Sequence, residues 1–271
     1  MLFRSLLRAS SPVLFNDPFD SFFPPRICNV AAANRKLKSR FEEILSGTEI
    51  LPEGSKAEAK FGPWIRHMKP APPEVRARLA SERRDEARSL VDELHDESSK
   101  EWKRRMERLR VLCLCQSGIN PLLWSHYAEN HQGAVFEFKT TDHNPFNRTA
   151  AVVYRRTPPR TYSGNDYVDA VLLKKPLPML DILPLVMTKA PEWSYEAEWR
   201  VFGAIGSEEP PQYDDLKFPP LALSRILLGC RMSPGDREAI TQLAIGDFEH
   251  VEIHRARQST ARYGLDFDCI K

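Results

Sequence analysis

The sequence has 271 residues, with 39 Lys and Arg against 37 Asp and Glu, for a formal charge of +2. So even a balance excludes a strongly basic nucleic-acid coat and an acidic disordered tail, and the length suffices for one large domain or two small ones. Proline is frequent, at 22 residues, and glycine scarce, at 12, which argues against a glycine-loop nucleotide fold and for fixed extended joints between short elements.

From the N-terminus, Met1 to Ser11 is basic and Ser-rich like a short targeting peptide, but it has no long apolar stretch. It reads as folded protein in a cytoplasmic chain. No run approaches the roughly 18 apolar residues that would span a bilayer. Phe15-Asn16-Asp17-Pro18-Phe19-Asp20 is turn chemistry, with Pro18 holding Asp17 extended, and Pro24-Pro25 follows. Leu37, Phe41 and Ile44-Leu45 form one stripe of a helix over 34–50, with Gly47 as its stop. Residues 51–73 read as a Pro-rich loop.

Between about 74 and 110 the chain is dominated by Glu, Asp, Arg and Lys. Apolar residues such as Val75, Leu79, Leu90, Leu94 and Trp102 recur there every three or four positions. This predicts one or two long amphipathic helices with a solvated, ion-paired face, a charged insertion in a single domain covering 1–271. Val111 to Cys115 reads as a buried strand. The five cysteines, Cys28, Cys113, Cys115, Cys230 and Cys269, include no CxxC pair and read as small core residues of a reducing compartment. Asn120 and Pro121 are a cap and first residue for a helix running to about Asn130 and stopping by Gly133. Strands follow over 134–139 and 151–154, and a helix over 166–175. Residues 180–187 are apolar, and strands are expected over 193–205 and 226–229. Ser233 caps a further helix, and 250–256 is a late strand. Irregular alternation of helices and strands gives an α+β fold, a small mixed or antiparallel sheet with flanking helices.

Two clusters could carry chemistry. If residues 193–205 are one strand, period-two alternation puts Trp193, Tyr195, Ala197 and Trp199 on one face and Glu196, Glu198 and Arg200 on the other. In an enclosed cleft, paired carboxylates would split their pKa values, with Arg200 holding one ionised. On the 122–130 helix, Tyr127 and His131 share a face, with His126 one step round and Trp124 as anchorage. His126 and His131 have poor spacing for a metal, and none is expected from them. No GxxxxGK[ST], GxGxxG, GxSxG or HExxH motif occurs, which lowers the odds of an ordinary nucleotide-triphosphatase, dehydrogenase, α/β-hydrolase or zinc peptidase.

FNDPFD at 15–20, LLWSHYAENHQGAVFEF at 122–138, VVY at 152–154, TKAPEWSYEAEWRVF at 188–202 and ILLG at 226–229 occur in that order. This set resembles the prokaryotic family known as domain of unknown function 2971. Members usually place a tyrosine-bearing strand before the FNDPF turn, and this sequence reaches that turn almost at once, so the strand is not expected here. The resemblance implies pocket residues more than a reaction. At the turn and helix they are Asn16, Asp17, Trp124, His126, Tyr127 and His131. In the late segment they are Lys189, Tyr195, Glu196, Glu198 and Arg200.

The leading expectation is an enzyme on a nucleotide or nucleic-acid-derived substrate, similar to ADP-ribosyltransferases that consume NAD. Such an enzyme needs an aromatic platform for nicotinamide, a ribose contact and a carboxylate for oxocarbenium charge. Glu196 and Glu198 would be the acids, and His126 and Tyr127 the ribose contact and platform. An alternative is a Mg²⁺-dependent nuclease or hydrolase using Asp17, Glu196, Glu198 and Lys189. A third is a non-catalytic module of a bacterial defence or toxin system. Nucleic-acid binding and oligomeric state are left open.

Overall fold

The computed structural model describes residues 5–21, 30–207, 209–244 and 248–271. Cys28, Pro24-Pro25 and the first four residues lie outside the described residues. In chain order the elements are β1 (Leu6–Ser10), α1 (Val30–Ser46), α2 (Lys56–Met68), α3 (Pro73–Glu82), α4 (Arg84–Arg108), β2 (Leu109–Cys115), α5 (Pro121–Tyr127), β3 (Ala134–Phe138), β4 (Ala150–Ala151), β5 (Val153–Tyr154), α6 (Gly164–Leu173), α7 (Leu183–Val186), β6 (Thr188–Lys189), β7 (Glu198–Ala204), β8 (Tyr213–Lys217), β9 (Leu223–Leu228), α8 (Pro234–Leu243), β10 (Glu252–Gln258) and β11 (Leu265–Cys269). The class is α+β.

The contacts divide the chain into two compact units. One holds the sheets: the chain up to Ser21, Met106–Thr157 and Met187–Lys271. Its larger sheet has the order β4-β7-β2-β1-β8 and is antiparallel throughout. The second sheet, β11-β10-β9-β3, is mixed because β9 and β10 run parallel. Leu112 and Val201 from the first sheet meet Leu223, Ile226 and Ile253 from the second, with Phe146 and Phe218, in one apolar core. Val201 therefore points inward, and alternation along β7 turns Glu198 and Arg200 to the opposite face. Asn120 starts α5 by accepting the Leu122 N–H, and Ser233 does the same for α8 through Asp236 N.

The other unit is helical, formed by the residues between Ser21 and Met106 and by Pro158–Val186. The α1 stripe of Leu37, Phe41 and Ile44 packs with Leu90 and Val91 of α4 and with Val168 and Leu172 of α6. Gly47 follows α1 at φ +83°, a left-handed C-terminal residue that glycine takes without Cβ strain. Ser163 and Asp166 form a reciprocal capping box at the start of α6. The charged faces carry pairs such as Arg78–Glu82 and Arg105–Glu101, each four residues apart.

Several local expectations are corrected. Residues 51–73 are not a loop, since α2 occupies most of them with Pro63 inside it. An interior proline costs about 3 kcal/mol, which the full burial of Ala57 and Phe61 offsets. A strand, β1, precedes the FNDPFD turn, but it carries no tyrosine. Helix α5 ends at Tyr127, because Glu129, Asn130 and His131 all take positive φ. Their left-handed turn presses the His131 carbonyl onto Gly229, where a Cβ would stand 2.1 Å from that oxygen. Pro191–Glu196 is a 3-10 helix and Ala197 is left-handed, so β7 starts only at Glu198 and period-two alternation does not sort Trp193 to Ala197. In β2 the buried residues are Leu109 to Leu112. Cys113 and Cys115 reach solvent because the end of that strand borders a cavity, and Cys269 is exposed as well.

Candidate functional site

Five charged side chains meet on the outer face of β7. Arg200 is fully buried, and Asp20, Lys189, Glu196 and Glu198 are each at most 6 % exposed. Strand alternation supplies Glu198 and Arg200, the short β6 supplies Lys189, and the end of the 3-10 helix supplies Glu196. Asp20 comes from the FNDPFD turn, where Asp17 Oδ1 accepts the Phe19 N–H at 2.9 Å and Asp20 N donates to Asp17 O.

Arg200 binds two carboxylates, each through two contacts. Its Nε and Nη2 donate to Glu198 at 2.7 and 3.0 Å, and its Nη1 and Nη2 donate to Asp20 at 2.9 and 2.6 Å. Such paired, charge-assisted contacts fix both distance and plane. Lys189 Nζ lies 2.5 Å from Glu196, 3.1 Å from Glu198 and 3.5 Å from Asp20. The Tyr127 hydroxyl donates to Glu196 Oε1 at 2.6 Å, and Asn16 Nδ2 donates to the Tyr127 oxygen at 3.5 Å. Tyr154 OH accepts the Glu198 N–H at 2.9 Å.

Burial disfavours each charge, but the partners outweigh it. The Glu198 carboxyl is held below its ordinary value by Arg200 and Lys189. Lys189 and Arg200 are pushed above theirs by the carboxylates. Burial, together with the bond to Glu196, pushes the Tyr127 phenol up, so it stays protonated and donates. Three carboxylates face two cations, so the formal charges leave one negative charge over.

An aromatic rim stands beside this floor. The His126 ring lies 6.1 Å from both Tyr127 and Tyr195, and Tyr195 lies 6.1 Å from Trp193. Trp193 in turn faces Lys189 Nζ at 4.8 Å. Asn120, the α5 cap, donates to Tyr195 O at 2.8 Å, tying the helix to the 3-10 segment. Asn16, His126 and Tyr127 are exposed, while Trp193, Tyr154 and Tyr195 are half-buried.

Of the residues singled out from the sequence, Asn16, Lys189, Glu196, Glu198, Arg200, Tyr127, His126 and Tyr195 are thus drawn together. Asp17 stays in its own turn. Trp124 is buried and donates to Gly118 O at 2.7 Å, packed against Leu227 and Ala256. His131 stacks on Trp124 and meets Ser125 Oγ at 3.1 Å, so the expected Tyr127–His131 face is not formed. Asp20, Ser21 and Tyr154 escaped the sequence reading. Asp20 closes the FNDPFD motif and Tyr154 the VVY motif, and those were their signals. Ser21 Oγ accepts from Arg200 Nη1 at 3.0 Å and carried no signal.

Lys189 Nζ stands between the Asp20, Glu196 and Glu198 carboxylates. Among the described residues no group of three or more His, Cys, Asp or Glu is arranged to hold a metal. No described helix is long and apolar enough to cross a membrane.

No curated protein and no solved structure matches the chain. A family model matches residues 123–201, a stretch that holds most of α5, the VVY strand, Lys189 and the Glu196–Arg200 run, while FNDPFD and ILLG lie outside it. Over that stretch the chain is similar to the family described as Protein of unknown function (DUF2971).

Proposed function

We propose that the Tyr127–Glu196 corner is the active site of an enzyme that cleaves the N-glycosidic bond of a nucleotide, with NAD as the lead substrate. The observation that carries this reading is the surplus negative charge of the buried floor beside a half-exposed aromatic rim. A pyridinium ring and the oxocarbenium ion left by its departure are both cationic, and fixed negative charge stabilises the second most where charge develops.

In the reaction, the bond between C1′ of the ribose and the ring nitrogen breaks. Nicotinamide leaves with the electron pair, and water or an acceptor hydroxyl attacks C1′ and loses a proton. Tyr127 keeps its own proton on Glu196, so its oxygen offers lone pairs to a ribose hydroxyl beside Asn16. His126 and Tyr195 provide the platform for the leaving ring. Glu198, locked by Arg200, sets the field without touching substrate.

The test is incubation with NAD and detection of free nicotinamide by mass spectrometry. Release by the wild type and its loss in Tyr127→Phe, at unchanged melting temperature, supports the reading. No release from NAD or from any nucleoside in a panel removes it.

The completeness of the pairing favours a second reading, in which the ion cluster locks the Asn16–Ser21 turn onto β7 and the chain acts as a binding module. In that case no turnover appears and Tyr127→Phe changes nothing but the local hydrogen bond.

A further inference from the structure

A cavity of about 930 Å³ lies at the C-terminal end of β2, between the two sheets of the same unit. That volume falls within the range of small-molecule sites. Four aromatic side chains line it: Phe136, Phe138, Phe146 and Trp199. Phe146 is fixed in the core, and its ring stands 4.7 Å from that of Phe138. Among the lining residues are two acids, Glu137 and Asp142, and no Lys, Arg or His. Glu137 is balanced in part by Arg225 at 3.2 Å, and Asp142 is exposed. Such a lining rejects phosphates and carboxylates and suits a flat ring with positive charge, which gains from both the aromatic faces and the acids.

Cys113 and Cys115 also border this cavity. By register they stand opposite Arg200 and Glu198, while Leu114, another lining residue, stands opposite Trp199. Paired residues share a face, so the cavity is lined by residues from both faces of β2 near the end of the strand. Both residues are exposed, although burial of the Cys113 thiol and the neighbouring Glu198 keep it protonated well beyond the ordinary range. The two thiols are therefore built-in reporters of occupancy.

We propose that this cavity is a binding site for a flat, cationic, fused-ring aromatic molecule that carries no phosphate into it. The site is separate in residues from the Tyr127–Glu196 corner, and it stands whether or not NAD is consumed.

The test uses proflavine, a flat fused-ring cation, against 9-anthracenecarboxylate, an anion of similar size. Binding is followed by fluorescence, and iodoacetamide alkylation of Cys113 and Cys115 is mapped by mass spectrometry with exposed Cys269 as the reference. With proflavine at about ten times its Kd, the free fraction falls about tenfold, and alkylation of both cavity thiols slows by that factor while Cys269 is unchanged. The anion binds at least about tenfold more weakly, and the double variant E137Q/D142N lowers proflavine affinity by about tenfold with the fold intact. Unchanged alkylation of Cys113 and Cys115 at saturating dye, or equal binding of cation and anion, overturns the proposal.

Discussion

Arg200 holds Glu198 and Asp20 by two contacts each and has no exposure at all. Removing one partner of such a buried set leaves charge unpaired, which costs about 3–5 kcal/mol. Arg200→Met should therefore lose about that much stability in urea denaturation. Arg200→Lys should not restore it, because an ammonium cannot make the forked contacts. A loss below about 1 kcal/mol would mean that the cluster is solvated. The same contacts set a pH range. Glu198 is held below its ordinary 4.5, so its contribution is complete above that pH and is lost as pH falls through the lower folded value. Lys189 is raised above its ordinary 10.5, so its contribution is complete below that pH and is lost as pH rises through the higher folded value. Thermal melts should show a plateau between these limits, and in Glu198→Gln, which is less stable at neutral pH, the decline at the acid end should be smaller. Glu196, Glu198 and Arg200 were legible in the sequence because charges crowded among aromatics stand out, whereas Lys189 came only from the family resemblance. Asp20 was not, since an acid after a turn has no local mark of burial.

At the scale of elements, close approach and caps decide the geometry. The His131 carbonyl leaves no room for a Cβ on Gly229. Gly229→Ala should cost at least about 1–3 kcal/mol through forced backbone movement, against little change for Gly235→Ala, where the space is open. Comparison of the two melting curves checks it. Helix starts at Asn120 and Ser233 were readable because a short polar cap before proline is a local rule. The end of α5 was not readable. Three successive left-handed residues at 129–131 answer to packing against Gly229 and Arg231, just beyond β9, which a helical period cannot reveal. The run from Trp193 to Ala197 misled for a similar reason: alternation supposes an extended chain, and Pro191 begins a 3-10 turn instead. That turn sets Glu196 beside Lys189 and Tyr127.

Over the whole molecule, the α+β class followed from the irregular order of elements, whereas the division into a sheet unit and a helical unit needed contacts distant in sequence. Phe41 and Phe61 meet at 5.0 Å in the helical core, and both are buried. Phe41→Ala should cost about 3–5 kcal/mol. Hydrogen exchange should quicken in α1 and α6 while β2 and β7 keep their protection, and a uniform loss of protection would show that the units unfold as one. The charged helices, by contrast, were plain in the sequence, because an exposed ion-paired face needs only local spacing.

The central claim is that the negative floor beneath Tyr127 acts on a glycosidic bond, and Glu196 is the group nearest the exposed phenol. The most direct measurement is a proton NMR time course of NAD with the wild type and with Glu196→Gln, both shown folded by their melting curves. The account predicts release of nicotinamide by the wild type and a rate at least about a hundredfold lower in the variant, as expected when a carboxylate stabilising a developing charge is neutralised. Equal rates in the two proteins, or no release by either, would contradict it.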